Sequence, residues 1–192
     1  MNPVLAIEAL TLARGRLTLL ENFSLSIGQG QCVELRGANG TGKSTLLRTV
    51  AGLSASAAGR IDVQPHLYVG HTDGLSALLT VEENLQWYAS LAGAPVTTDQ
   101  VREALRAMHV PKLRRRPYSA LSAGQRRRAA LARLLLIQRP LWLLDEPYTA
   151  LDDDGAACVD ALIRDHCASG GAVLAATHAD MSVSDNRIWL DR

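Results

Sequence analysis

Excess charge is nearly absent: 20 Lys and Arg stand against 19 Asp and Glu, a formal net charge of +1 over 192 residues. So close a balance creates no overall field to draw a polyanion, and it gives no support to a nucleic-acid role. Cysteine is scarce as well. Cys32, Cys158 and Cys167 are odd in number and irregularly spaced, which fits neither a disulfide framework nor a zinc site and points to a reducing compartment. No apolar run approaches the roughly 18–20 residues that span a bilayer. The start, MNPVLAIEAL, lacks the basic segment and apolar stretch of a signal peptide. The expectation is a cytoplasmic chain, or one held at a membrane by other subunits. Internal repeats and low-complexity linkers are absent too. With 47% apolar and 20% charged residues, the composition is that of one globular domain.

What is present is a change of rhythm along the chain. LAIEALTLA, FSLSI and QCVELRG read as strands set off by Gly15, Gly28 and Gly30. Leu46, Leu47, Val50, Ala51 and Leu53 then recur at helical spacing, and GRIDV and HLYVG return to strand. From about Thr80 to Gln138 the text is helical. One helix opens on Thr80 with Glu83 in capping-box spacing, TTDQVREALRAMHV makes a second, and Gly124–Ile137 a third. LWLLD, a helical DDGAACVDALIRDHC and AVLAATH close the pattern. Such alternation predicts an α/β fold with a parallel sheet. The expected layout is a single domain over 1–192, its core about 1–74 and 138–192, with an N-terminal antiparallel β region and a helical subdomain inserted at about 75–137.

The most specific chemistry lies in GANGTGKST. Gly37, Gly42, Lys43 and Ser44 match G-x-x-x-x-G-K-[ST] between a strand and a helix, the setting a phosphate-binding loop requires. The backbone from Gly37 through Ala38, Asn39, Gly40 and Thr41 to Gly42 is expected to form a concave nest of N–H groups for phosphate oxygens. Lys43 brings a positive charge to the β- and γ-phosphates, Ser44 a hydroxyl ligand for Mg²⁺, and Thr45 a further phosphate contact. LWLLDEP places Asp145 and Glu146 at the carboxyl end of a buried strand, where ligands of parallel sheets sit. Asp145 suits Mg²⁺, and Glu146 suits proton abstraction from an attacking water. A second anion-ready helix start, LSAGQ, lies far from the loop and has no nucleotide motif of its own.

Together these pieces resemble the ATP-binding-cassette ATPases over nearly the whole chain: phosphate loop GANGTGKST, signature LSAGQ, acidic strand LWLLDEP, D-loop TALD and switch histidine in ATH, in the family's order. The resemblance implies a P-loop cassette that binds ATP and Mg²⁺ and packs head to tail with a second copy of itself. Ser122, Gly124 and Gln125 would then meet the γ-phosphate held by the other chain's Lys43. His178 would contact that phosphate, and Asp152 would register the two chains. Two positions depart from the family. His71 stands where glutamine is usual, and is expected to reach the water or Mg²⁺. No aromatic residue near LTLARGRL is placed to stack on adenine, which leaves Arg14 or Arg16 to cover the base.

Within the family, the short chain, YVGH and YSALSAGQRRRAALARLLL are similar to the ATP-binding subunits of bacterial haem exporters of cytochrome c maturation. That likeness implies integral-membrane partner subunits, a peripheral place on the cytoplasmic face of the inner membrane, and ATP hydrolysis that drives release of a haem-loaded periplasmic chaperone. Alternatives are a cassette for another exported small molecule or lipid, and a non-transport ATPase acting on DNA or ribosomes. KLRRRP and QRRRAALAR read as solvated or partner-facing surface, so no nucleic-acid partner is expected. Direct haem binding is not expected either, because His166–Cys167 lacks the C-x-x-C-H spacing of covalent attachment.

Overall fold

The computed structural model describes residues 3–190. In chain order its elements are β1 (Leu5–Arg14), β2 (Leu17–Ile27), β3 (Cys32–Arg36), α1 (Lys43–Val50), β4 (Ala58–Val63), β5 (His66–Val69), α2 (Val81–Leu91), α3 (Thr98–Ala107), α4 (Ala123–Leu131), α5 (Arg133–Leu136), β6 (Leu141–Asp145), α6 (Asp153–Ala168), β7 (Ala172–Ala176) and β8 (Asn186–Trp189). They fall into two compact units. One runs to Gly70 and takes in Arg139–Pro147 and the chain from Leu162 onward; the other comprises His71–Gln138 and Tyr148–Ala161.

The first unit holds both sheets. A three-stranded antiparallel sheet has the order β2-β1-β4, and a parallel sheet has the order β5-β6-β7-β3-β8. LWLLD and AVLAA are buried at all five positions each, the near-continuous apolar text of central parallel strands. α1 lies against β6 and β7 and buries Leu46 and Leu47 completely. Each such leucine is worth about 1.5–3 kcal/mol of burial. Because the strands are parallel, the carboxyl ends of β3, β6 and β7 share one edge. That edge carries the phosphate loop, the acidic pair and His178.

The second unit is helical, and capping boxes start three of its helices. Thr80 pairs with Glu83, Thr97 with Gln100, and Ser122 with Gln125; in each pair the side chain of one bonds the backbone N–H of the other. The helix expected over Gly124–Ile137 is interrupted at Ala132, where ψ tightens to −20° and Leu135 N–H bonds the Ala132 carbonyl in a 3₁₀ step. The second unit also takes in Tyr148–Ala161, which the sequence assigns to the core. Within that unit, Arg128 on α4 bonds both Asp152 and Asp154 around the start of α6. No helix among the described residues is long and apolar enough to cross a membrane.

Candidate functional site

The phosphate loop follows β3 as a run of left-handed turns: φ is 141° at Gly37, 84° at Gly40 and 107° at Gly42. A side chain at Gly37 would overlap the Leu190 carbonyl and come within 2.9 Å of Thr41 Oγ1. Only glycine meets both demands. Thr41 Oγ1 donates to the Ala38 carbonyl at 3.0 Å, and Ala38, Asn39 and Gly40 are exposed along the rim. Lys43 is buried and turns back across the loop, with Nζ donating to the carbonyls of Gly37 at 2.6 Å and Ala38 at 3.1 Å. Burial pushes its pKa below the ordinary lysine value, while the carboxylates of Glu146 and Asp145 pull the other way. Thr45 is half-buried in the first turn of α1.

Ser44 Oγ donates to Asp145 Oδ1 at 2.9 Å, and Tyr68 Oη donates to Asp145 Oδ2 at 3.4 Å. A hydroxyl and a carboxylate this close, beside a lysine, form the oxygen donor pair that Mg²⁺ takes in phosphate-loop proteins, so these residues fit the ion. Glu146 follows with φ 51°, an unusual conformation for a residue with a side chain, and its N–H bonds the Ala176 carbonyl at 2.7 Å. That twist turns the carboxylate toward β7. There His178 N–H donates to Glu146 Oε2 at 3.3 Å, and His178 Nε2 lies 3.6 Å from Glu146 Oε1. Lys43, Ser44, Asp145, Glu146 and His178, far apart in sequence, therefore make one cluster in the first unit.

The second unit makes a cluster of its own. Ser122, Gly124, Gln125, Arg128, Ala150 and Asp152 line a hollow of about 430 Å³. Ser122 Oγ accepts from Gln125 N–H at 3.2 Å, and Gln125 Oε1 accepts from Ser122 N–H at 3.1 Å. Gly124 is required because a β-carbon there would come 2.7 Å from the Ala150 carbonyl. Asp152 accepts from Gly155 N–H at 2.9 Å and from Arg128, and these bonds hold its carboxyl below the usual range. His109, Asp154 and Cys158 place three donor atoms within 4.8 Å of one another beside this hollow. Arg128 already holds Asp154 at 3.1 Å, a cation where a metal would have to compete. His71 opens the second unit and is exposed. Two residues on, Asp73 is fastened by Tyr118 Oη at 2.6 Å and by Arg127 Nη1 at 3.1 Å.

Several contributors have no motif. Tyr68 sits in ordinary strand text, and Arg128 in QRRRAALAR, which reads as solvated or partner-facing surface although Arg127 and Arg128 are buried. Glu34 and Arg36 did carry a signal, as two charges inside the otherwise apolar strand CVELR. Phe23 and Trp189, with Leu17, Leu19 and Leu20, line a hollow of about 580 Å³ in the first unit. Arg14 and Arg16 are exposed. In the pair His166–Cys167, the ring is stacked on Trp142 and burial raises the thiol to about 11.

A glycine loop at the end of β3, a lysine folded into it, and an acidic pair at the end of β6 in the same sheet define a nucleotide-phosphate-binding cassette. The family model for ABC transporter matches residues 20–149. "Cytochrome c biogenesis ATP-binding export protein CcmA" of Rhodobacter capsulatus is 46% identical over 187 residues, 96% of this chain and 86% of that protein. Its counterpart in Cereibacter sphaeroides is 45% identical over 186 residues, 96% of this chain and 87% of that protein. A putative ABC transporter ATP-binding protein from Pyrococcus furiosus superposes with a TM-score of 0.87 at 27% identity, covering 97% of this chain and 96% of that one. The chain belongs to the ABC transporter ATP-binding family. It binds ATP and is an ATPase coupled to transport.

Proposed function

We propose that the chain is the ATP-hydrolysing subunit of a haem export complex of cytochrome c maturation, seated peripherally on the cytoplasmic face of the bacterial inner membrane beneath integral-membrane subunits. Hydrolysis there drives release of the haem-loaded periplasmic chaperone. The chain carries ATP and Mg²⁺ but no haem, and binds no nucleic acid. The likeness to cytochrome c biogenesis export proteins over 96% of the chain supports the cargo. The mechanism is supported by one observation above all: the residues for phosphate chemistry form two clusters, and the one around Ser122 has no phosphate loop of its own.

In this reading the single nucleotide-binding domain spans 1–192. The N–H groups from Gly37 to Gly42 cradle the phosphates, and Thr45 adds a hydroxyl contact. Lys43 exchanges the neutral carbonyls of Gly37 and Ala38 for anionic β- and γ-phosphate oxygens, which adds charge–charge attraction to the hydrogen bond. Ser44 and Asp145 would hold Mg²⁺, which would supply charge neutralisation to the phosphates. Glu146 takes the proton of the attacking water, and His178 donates toward the γ-phosphate. His71, in the usual glutamine position, orients that water. The α4 start, with Ser122, Gly124 and Gln125, meets the γ-phosphate of a second copy packed head to tail at the positive end of the helix dipole, with Asp152 registering the pair. The test is genetic and biochemical. Deleting the gene should abolish c-type cytochromes, and the tagged protein should co-purify with integral-membrane subunits. Normal cytochrome c content in the deletion strain overturns the haem assignment and leaves the ATPase untouched.

A further inference from the structure

Arg36 ends β3, one residue before the phosphate loop, and its side chain is 11% exposed. Its guanidinium is engaged on three sides. Nη1 donates to the His178 carbonyl at 2.7 Å, Nη2 donates to Asp180 Oδ1 at 2.7 Å, and Nε lies 2.6 Å from Glu34 Oε1. The last contact is an ion pair rather than an aligned hydrogen bond, since neither atom has a directed partner. Glu34 has no exposed side-chain surface, and its other oxygen accepts from Arg187 Nε at 2.8 Å and Ser184 Oγ at 3.3 Å. Arg187 also lies 3.5 Å from Asp180.

Burying this much charge is a poor way to gain stability, because desolvation offsets most of the Coulomb attraction. What a planar fork with fixed donor directions does supply is position. His178 is gripped from two sides: its N–H donates to Glu146 and its carbonyl accepts from Arg36. The two bonds bracket the Cα from which the imidazole hangs. One of them comes from the strand that launches the phosphate loop.

We infer that Arg36 is a positioning residue for His178, tying the imidazole to the strand end that carries Gly37 and Lys43, with Asp180 and Glu34 holding the guanidinium in place. The inference rests on the hydrolytic role proposed for His178. The guanidinium adds a side-chain tie beyond the β3–β7 ladder, whose last backbone bond runs from Thr177 N–H to the Leu35 carbonyl at 3.4 Å.

The experiment uses Arg36→Lys and Asp180→Asn, each alone and combined with His178→Ala, in the assembled membrane complex. Lysine keeps the charge and loses the fork. For Arg36→Lys, kcat should fall about tenfold, the scale of a small displacement in a reacting geometry, with KM for ATP within about twofold of the parent. Asp180→Asn should give a smaller fall of the same kind. Neither substitution should slow the His178→Ala variant further. In the full chain, the imidazole NMR signal lost in His178→Ala should move in both variants while those of His66 and His109 stay. Losses that multiply with His178→Ala, or an unmoved His178 signal in folded protein, overturn the inference. Should Arg36→Lys not fold, Asp180→Asn, whose side chain is 87% exposed, decides by the same readouts. If His178→Ala itself turns over like the parent, the hydrolytic role fails. The imidazole signal then decides the tie to Arg36 separately.

Discussion

Glu146 holds a costly backbone conformation for a chemical end. A non-glycine residue at φ 51° costs on the order of 1–3 kcal/mol. Here the twist is secured by the N–H bond to Ala176 and the contacts to His178. Glutamine has the same shape, can accept the same His178 N–H, and cannot take up a proton. Glu146→Gln should therefore leave ATP binding intact and slow turnover by roughly 10²-fold or more, the scale of a lost general base. Turnover in the purified membrane complex, alongside equilibrium nucleotide binding, checks this. Unchanged turnover removes Glu146 from the mechanism. The acidic pair itself was legible in LWLLDEP, but the twist was not. Nothing in the text of a strand end announces that the next residue turns left-handed, because a partner strand, β7, imposes the turn.

At the scale of elements, α6 ends against β6 through a face-to-face stack of His166 on Trp142, with ring centroids 3.7 Å apart and planes within 3°. Burial lowers the pKa of His166, partly offset by backbone groups of Ala172 and Pro140. The folded state thus prefers the neutral ring, and the unfolded chain binds the extra proton between that lowered value and the ordinary one of about 6.5. The stability contributed is present above about pH 6.5, is lost as pH falls through it, and levels off below the folded-state pKa. His166→Phe keeps a flat ring in place and removes the titration. Its melting temperature should fall less than the parent's between pH 7.5 and pH 5.5 by differential scanning fluorimetry. Parallel pH slopes show that the ring does not titrate against folding. Elements of this kind divide cleanly by legibility. Thr80 with Glu83 marked a helix start, and the apolar runs of β6 and β7 marked central strands. β8 was missed because NRIW is mostly exposed edge text, and the break at Ala132 because alanine favours the helix on both sides of it. The bonds of Arg128 were not legible because its partners lie 24 and 26 residues further along the chain.

For the whole molecule, the central question is which Lys43 serves which Ser122. In the proposed head-to-tail pair, a reaction centre joins Lys43 of one copy to Ser122 of the other. A Lys43→Ala chain mixed with a Ser122→Ala chain then builds one centre with both residues lost and one with both intact. Neither variant paired with itself has an intact centre. ATP-dependent closure should thus be weak in each variant alone and reappear on mixing, measured by fluorescence transfer between labelled copies. The complementary mixture separates this from centres complete within one chain. A chain carrying both substitutions, paired with the parent chain, spoils each shared centre once, so such mixed pairs should fail to close. Were Lys43 and Ser122 of the same copy to act together, the second mixture would retain the parent's centre and the first would have none. The two arrangements therefore predict opposite outcomes from the same four chains. Ser122→Ala also removes the α4 cap, a local loss of typically about 1 kcal/mol, so the thermal melt of each chain alone is followed by circular dichroism before any mixing.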